Sequence, residues 1–390
     1  MPTFAQFKGI NNVLPAERLD DSELATATDV DFGLSGEARL RAGFTLPSSL
    51  AHSNVWEADG FVLATVDGDL TSILPNGTRT VLYPSLGNDR VWYVQLPDGR
   101  VAYSNGLISG IVAANGLSQT PWGVPVPPTT GALTDVAGSL FQGDYQYQLT
   151  YVRLSDGLEG GPIYTNPVPV ALGGILLTGL PQLAGYGINV YLTSHNGGDA
   201  HLAGMTLTGS FSYLGPNSSL VLPCRTDYLQ PPPAGKLCAT WRGRSLIAVD
   251  KVLMASRPHQ PELFDYREDF KQFSDTITMV QPIEGDGIFV GTTGGLYYLA
   301  GSDFGGLSMS ADLAGPVVLG SGVTLPAKLV QGSQTEGSAI ICIAGRVLTA
   351  GFAGGSVVRL TEGRYESGAA SVAATFRHAN GIPQYIAVPQ

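Results

Sequence analysis

The stretch RVWYVQLPDGRVAYS, residues 90–104, decides the fold class of this chain. Apolar and polar residues alternate on both sides of Asp98-Gly99, as they do in strands that bury one face. An Asp-Gly pair readily supplies the positive φ angles that a tight hairpin turn requires. The stretch therefore predicts a β-hairpin.

The same pattern recurs along most of the chain. Asp-Gly or Asn-Gly pairs separate alternating segments at residues 59–60, 67–68 and 76–77, and a further hairpin is predicted around Asp250-Lys251. Hairpins that recur at a strand spacing of about ten residues are typical of a sandwich, barrel or propeller. The turns within each half of the chain are unevenly spaced, which is compatible with degenerate propeller blades of about 40–50 residues.

The composition supports this interpretation. The chain has 390 residues with 51 Gly and 26 Pro, 44% of its residues are hydrophobic and only 14% are charged. A disordered chain lacks so many apolar residues, and a coiled coil contains few Gly or Pro. Collagen requires Gly at every third residue, a period that is absent here. The length exceeds that of one hydrophobic core, so we expect two or three folding units.

Two proline-rich segments, residues 121–128 and 229–235, are interpreted as stiff linkers. The strands predicted between them have the size and rhythm of an immunoglobulin- or fibronectin-like sandwich. The predicted fold is therefore all-β, with a degenerate β-propeller-like body interrupted by an inserted immunoglobulin- or fibronectin-like β-sandwich. The body would comprise residues 49–124 and 234–390, and the inserted sandwich residues 125–233.

Residues 1–48 differ from the rest and are predicted to form an N-terminal arm. Its elements are an extended segment, a short helix at residues 20–27 and a hairpin at residues 29–44. Acidic residues crowd the start of the predicted helix, where they would favour the helix dipole.

The sequence shows no convincing catalytic, cofactor or metal site. His195 and His201 lie six residues apart with no third ligand nearby, and are interpreted as loop residues. The acidic pair Asp67 and Asp69 lacks the longer run of oxygen ligands that a calcium loop needs. We therefore expect no enzymatic activity, no cofactor and no bound metal.

Several other residues that could carry chemistry favour structural interpretations. Gly291-Thr292-Thr293-Gly294-Gly295 lacks the Lys-Ser/Thr and the following helix of a phosphate loop, and is interpreted as a β-turn. The tyrosines at positions 145, 147 and 151 could line a sugar groove, but core packing is favoured.

The cysteines and the overall charge limit the compartment and the partners. Cys224, Cys238 and Cys342 are an odd number without CxxC spacing, so free thiols in a reducing compartment are favoured over a Cys224–Cys238 disulfide. The net charge is −11 without a basic stripe, which argues against a protein that grips a DNA duplex. No secretory signal and no apolar run of membrane-spanning length are visible, so we expect a soluble protein made in the cytoplasm, without membrane insertion.

Three groups of motifs resemble one protein family. In the arm they are FKGINN (residues 7–12), DVD (29–31) and RLRAGF (39–44); in the body they are WRGRSL (241–246) and SRPHQPELFD (256–265). YQLTYV (147–152) is similar to a strand of the sandwich modules that this family carries. The chain resembles bacteriophage tail hub or nozzle proteins, which are the packaged-DNA stabilisation proteins of short-tailed phages.

This resemblance implies a structural virion protein in the phage tail. Six copies would form a ring below the portal and adaptor proteins, extend the DNA channel, retain the packaged genome until ejection, and anchor a tail spike, fibre or plug. Double-stranded DNA would pass through without sequence-specific binding, and an acidic lumen would let it slide. The low charge content fits large apolar subunit interfaces.

Alternatives remain for the arm and for the function. The arm could clasp a neighbouring subunit, with interface residues Phe7, Gly9, Asn11, Asn12, Phe32, Arg39 and Arg41. Alternatively, the arm and a C-terminal strand at residues 385–388 could close the propeller of their own subunit. The alternative functions are a receptor- or carbohydrate-binding tail component, and a tail-tip or adaptor protein of a long-tailed phage.

Overall fold

The computed structural model describes residues 7–33, 36–41, 43, 49–330, 336–379 and 382–390. In these ranges the chain consists of β-strands, turns and four short 3-10 helices, at Ala16–Arg18, Asn217–Ser219, Ala327–Leu329 and Ala353–Gly355. The described part contains no helix that is long and apolar enough to cross a membrane. The prediction of an all-β protein is confirmed.

The arm contains four short strands: β1 (Gly9–Ile10), β2 (Glu23–Leu24), β3 (Val30–Phe32) and β4 (Ala38–Leu40). The hairpin is confirmed, since β3 and β4 pair antiparallel. The helix predicted at residues 20–27 is wrong: β2 lies within that range and pairs parallel with β1. Eight residues are too few to stabilise an isolated helix in water, so pairing with a neighbouring strand prevails. Part of the motif at residues 39–44 lies outside the described residues.

The next two sheets are four-stranded antiparallel meanders, which we call blades 1 and 2. Blade 1 contains β5 (His52–Ala58), β6 (Phe61–Val66), β7 (Asp69–Ile73) and β8 (Arg79–Tyr83), and blade 2 contains β9 (Trp92–Gln95), β10 (Val101–Ser104), β11 (Ser109–Val112) and β12 (Gln119–Pro121). The hairpin predicted at Asp98-Gly99 joins β9 to β10, and Gly99 has a φ of +83°.

Residues 132–213 form three sheets apart from the blades, one of four strands, one of three and one of two. The strands are β13 (Ala132–Ala137), β14 (Gly143–Tyr145), β15 (Tyr147–Arg153), β16 (Ile163–Tyr164), β17 (Val168–Val170), β18 (Gly173–Thr178), β19 (Tyr186–Thr193), β20 (Ala200–Thr206) and β21 (Ser210–Tyr213). β15 and β19 are at the centre of the four-stranded sheet and β18 is at the centre of the three-stranded sheet. Side chains from all three sheets share one core. We call residues 125–233 the inserted region, although Leu229 and Gln230 at its end pair with a strand of the body. Its immunoglobulin- or fibronectin-like character and its boundaries stay predictions.

Three further meanders, blades 3 to 5, and a hairpin complete the chain. Blade 3 has β22 (Leu229–Gln230), β23 (Lys236–Trp241), β24 (Arg244–Val249), β25 (Val252–Arg257), β26 (Gln260–Asp265) and β27 (Phe270–Gln272). Blade 4 has β28 (Ile277–Pro282), β29 (Ile288–Thr292), β30 (Leu296–Ala300) and β31 (Ser308–Met309), and blade 5 has β32 (Val323–Pro326), β33 (Ser338–Ala344), β34 (Val347–Phe352) and β35 (Val357–Arg359). The C-terminal hairpin pairs β36 (Val372–Ala379) with β37 (Ile382–Pro389).

The blades surround a central cavity of about 780 Å³, as in a β-propeller. Residues of β5, β9, β23 and β28 line it, together with the segment before β32 and the C-terminal hairpin. Blades 2 and 3 pack directly on each other although the inserted region separates them in sequence. The body is therefore propeller-like, as predicted, and blades that precede and follow residues 125–233 contribute to it.

The first proline-rich segment is extended but is not a free linker. Trp122 is buried against Phe264 of β26, and its Nε1 donates a hydrogen bond to Pro261 O at 3.0 Å. Val124 is buried in the core of the inserted region. The prolines restrict the backbone of the segment. Trp122 anchors it to the body, and Val124 anchors it to the inserted region.

Candidate functional site

The two histidines considered as metal ligands, His195 and His201, instead form hydrogen bonds to backbone carbonyl groups. His195 hydrogen-bonds to Gln142 O at 2.8 Å and His201 to Asp199 O at 3.1 Å. Among the described residues, no group of three or more His, Cys, Asp or Glu side chains is arranged to hold a metal ion. His195 is therefore a loop residue, as predicted, whereas the loop prediction is wrong for His201, because the backbone there pairs with Leu192 as part of β20.

The acidic pair Asp67 and Asp69 also stabilises turns. The Asp67 carboxylate accepts the N–H of Ala51 at 3.3 Å, and the Asp69 carboxylate accepts the N–H of Ser85 at 2.7 Å. In the Gly-rich segment, the hydroxyl of Thr292 accepts the N–H of Gly295 at 3.0 Å. The turn interpretation of both segments is confirmed.

The tyrosines of β14 and β15 belong to the core, as predicted. Tyr145, Tyr147 and Tyr151 are buried, and each hydroxyl donates to a backbone carbonyl: Phe141 O, Thr130 O and Pro181 O respectively. Burial raises the pKa of Tyr147 and of Tyr151. They offer no exposed stacking surface for a sugar.

All three cysteines are free thiols. Burial raises the pKa of Cys342 to about 12 and that of Cys224 to about 11, so neither is a thiolate at neutral pH. The favoured interpretation as free thiols is confirmed, and their reactivity is low.

The predicted interface residues of the arm have different environments. Gly9 lies in β1 with a φ of +107°, and Phe7 donates its N–H to Gly36 O at 3.0 Å. Arg39 pairs with Glu37 at 2.6 Å on the surface. Arg41 approaches Asp31 at 3.5 Å, and Phe32 is a backbone member of β3.

Asn11 and Asn12 are engaged within the chain. Asn11 is buried and its side-chain oxygen accepts the N–H groups of Val13 and Leu14, both at 3.1 Å. Asn12 donates from Nδ2 to Glu366 O and accepts the N–H of Glu366, both at 2.8 Å. The arm thus contacts the C-terminal part of its own chain, and the interface role of these seven residues stays a prediction.

The blade 3 residues that carry the family resemblance fasten strands together. Trp241 is buried and its Nε1 donates to Asp286 O at 2.6 Å. Arg244, nearly buried, pairs with Asp269 at 2.8 Å, and Arg257 pairs with Asp265 at 3.1 Å. These contacts give each of the three residues a role in holding strands together, and this role requires no ligand.

A buried ion network joins the inserted region to the body. Glu262 of β26 accepts hydrogen bonds from Arg153 at the end of β15, at 2.9 and 3.1 Å, and from Arg100 of blade 2 at 2.6 Å. The side chains of Glu262 and Arg153 are only 4% and 6% exposed. Asp156 binds the other side of Arg153 at 2.7 Å, and Asp98 binds Arg100 at the same distance.

The network shifts the pKa values of Arg153 and Asp156 so that both side chains stay charged. Burial acts to lower the pKa of Arg153, but the hydrogen bonds to Asp156 and Glu262 outweigh it and raise the pKa above its usual value. The hydrogen bond from Arg153 lowers the pKa of Asp156. Since paired charges are sensitive to distance and angle, we expect the network to favour one orientation of the inserted region.

The opposite end of the inserted region exposes three apolar side chains beside polar residues such as Asn217 and His195. β13 runs away from the body to residue 137, and β15 returns from residue 147 to the network. Phe141, Leu172 and Leu214 lie at the far end and are 64%, 61% and 51% exposed. We call these three residues the distal apolar surface. The sequence gives no periodic signal for it, because each residue lies just outside a strand.

No protein-family model and no curated protein matches the chain. Similar solved structures include streptogramin B lyase, at 9% identity over 82% of this chain and 85% of that one, with a TM-score of 0.33. A catalytically inactive virginiamycin B lyase from Staphylococcus aureus with quinupristin is 11% identical over 88% and 94% of the two chains, TM-score 0.33. The WD40 domain of Neurospora crassa Pan2 is 10% identical over 87% and 86%, TM-score 0.33. These similarities concern the fold alone.

Proposed function

We propose that this protein is a structural subunit of a bacteriophage tail nozzle or hub, a ring-shaped assembly below the portal and adaptor, and not an enzyme. The observation that carries the proposal is the inserted region, which is fixed on the body by buried charges and exposes the distal apolar surface at its free end. A rigid projection with an apolar tip is suited to subunit contact, because buried apolar area supplies association energy.

We place this assembly in the phage tail because the sequence resembles phage tail hub or nozzle proteins. The DNA channel of the ring would lie between subunits, because the central cavity of one subunit has the size of a small-molecule site and not of a duplex. The net charge of −11 would let DNA pass without tight binding. Tail spike, fibre or plug proteins would bind below the ring.

Native mass spectrometry and electron microscopy of the purified chain test the proposal. We expect a closed symmetric ring, of six copies by the resemblance, and the same ring in the tail of the virion. A chain that stays monomeric at high concentration, with no ring in virions, would contradict the proposal.

A triple variant tests the role of the distal apolar surface. Replacing Phe141, Leu172 and Leu214 by Ser should shift the assembly toward monomers while the unfolding midpoint of the monomer changes little, because the side chains are mostly exposed. Leu107→Ser is the matched control, since Leu107 is exposed on blade 2, away from this end. Equal assembly of the triple variant and the control would exclude this surface as the interface.

One observation favours the second candidate, a carbohydrate-binding tail component. Tyr164 and Tyr228 are partly exposed and stacked with centroids 5.9 Å apart, and Arg267 lies over the Tyr228 ring at 3.7 Å. Tyr228 has a positive φ of 62°, which is strained for an aromatic residue. Host polysaccharides would be screened with the wild type and with Tyr164→Ala. Binding that the variant loses would support this candidate, and a null screen would reject it.

A further inference from the structure

The central cavity of the body has an unusual charge distribution for this protein. The whole chain has 32 acidic and 21 basic residues. Among the described residues that line the cavity, none is Asp or Glu, whereas Arg90 and His52 are present. The cavity, of about 780 Å³, lies in the size range of small-molecule sites.

Arg90 is a half-buried cation in this cavity. Its Nη1 donates to Val372 O of the C-terminal hairpin at 2.8 Å, and its guanidinium lies over the Trp92 ring, 4.2 Å from the centroid. Within the described chain it forms no ion pair, and burial lowers its pKa. A guanidinium carries five N–H donors, so most of its donors are not used by this carbonyl.

Two further features fit a ligand site. The guanidinium lies against Gly320, where a β-carbon would collide with both Nη atoms, so the backbone at residue 320 makes room for the cation. The indole N–H of Trp92 is buried without a hydrogen-bond partner in the described chain. Unpaired buried donors are destabilising, and this one would meet an acceptor in the cavity only after its neighbours shift, because it has almost no accessible surface.

We propose that the central cavity binds a small anion through a phosphate or carboxylate group that pairs with Arg90. Both groups match the planar fork of a guanidinium, which can donate two parallel hydrogen bonds to them. The absence of Asp and Glu side chains from the described lining removes a source of repulsion that an anion would meet elsewhere on this acidic protein. The proposal does not depend on the role in a phage tail.

A structural role is the competing explanation for Arg90. Its hydrogen bond to Val372 O joins the C-terminal hairpin to the start of blade 2. In this explanation the bond serves only to close the circle of blades within one subunit. Experiment distinguishes the two roles of Arg90. If Arg90 only closes the circle of blades, its replacement changes the unfolding free energy alone, whereas a ligand site also gives saturable binding of an anion.

Isothermal titration of the full chain with inorganic phosphate, citrate and adenosine monophosphate tests the proposal. These probes separate a bare phosphate, a carboxylate and a phosphate on an organic group. We expect at least one to saturate with a Kd tighter than about 10 mM. Arg90→Gln should weaken that binding by about tenfold to a hundredfold.

Two further variants keep the test decisive. Arg242→Gln is the matched control, because Arg242 also donates to one carbonyl, Gly285 O, and lies over a Trp ring outside the cavity; it should bind normally. Ala373→Asp adds a carboxylate to the cavity wall beside Val372 and keeps Arg90, so it should abolish binding even if Arg90→Gln fails to fold. The absence of saturation with all three probes, or unchanged affinity in Ala373→Asp or in folded Arg90→Gln, would overturn the proposal.

Discussion

Replacing Glu262 by Gln removes the charge that connects the inserted region to the body. The Gln side chain has the same shape, but its amide would place N–H donors against two guanidinium groups, Arg153 and Arg100. Breaking a buried ion pair costs about 3 to 5 kcal/mol, because the remaining charge is desolvated without compensation. Each arginine keeps a second, partly exposed carboxylate partner here, so we expect a loss of about 3 kcal/mol, at the low end.

Urea unfolding measures this loss with two signals. All four tryptophans lie outside residues 125–233, so their fluorescence follows the body, whereas circular dichroism follows both parts. In the Glu262→Gln variant the circular dichroism transition should begin at lower urea and separate from the fluorescence transition. The matched control is Glu268→Gln, whose partner lies at 3.7 Å on the surface and whose loss should stay below about 1 kcal/mol. Equal effects of the two variants would refute the argument that the network fixes the inserted region.

Three further predictions concern other parts of the chain. Gly320→Ala should lower the unfolding free energy by about 2 kcal/mol or more, since a φ of +76° and a collision with a backbone carbonyl oppose any β-carbon; a loss below about 0.5 kcal/mol in urea unfolding would contradict this. The hydrogen bond from Arg267 lowers the pKa of buried Asp265, so its stabilising effect is present above the unfolded pKa and is lost as the pH falls through the lower, folded pKa. Asp265→Asn should therefore reduce the acid dependence of the melting temperature below about pH 4, and an unchanged profile would argue against this contribution. Asn12→Ala removes both hydrogen bonds to Glu366 and should speed hydrogen exchange and proteolysis in the arm of the monomer; unchanged protection would favour a clasp on a neighbouring subunit.

The hairpins of the body were predictable because their chemistry is local. Asp98-Gly99 contains the residue types that adopt positive φ, and the flanking alternation determines which face is buried. The same holds for Asp250-Lys251, where Asp250 has a φ of +49° and β24 pairs with β25. Short-range rules of this kind determine the strands without information on distant contacts.

The arm shows where such rules fail. Acidic residues near residue 20 fit a helix start, yet the backbone there pairs with β1, and Ser22 accepts from Lys8 at 2.7 Å through its carbonyl. A short segment has little intrinsic preference, so a tertiary contact decides its structure. The first proline-rich segment is extended, but its proline content did not indicate that Trp122 and Val124 would be buried and anchor it.

The ion network was not predictable because its members are distant in sequence. Arg153 and Glu262 are separated by 109 residues. The sequence contains one weak signal. Glu262 stands between the apolar residues Pro261 and Leu263, which suggests a buried position. A buried acidic side chain requires a cation as its partner. Sequence spacing alone could not identify which arginine supplies it.

The two ends of the inserted region differ in chemistry for a physical reason. An attachment that must preserve one orientation benefits from charge-assisted hydrogen bonds, whose energy falls steeply with misalignment, and Glu262 receives three of them. A surface that must gain affinity benefits from apolar area, which is tolerant of angle, and Phe141, Leu172 and Leu214 offer it. Loss of the ion network should therefore change the geometry of an assembly before its affinity. Loss of the distal apolar surface should change the affinity first. The Glu262→Gln and distal triple variants, compared in one assembly assay, therefore separate orientation from adhesion in the proposed ring.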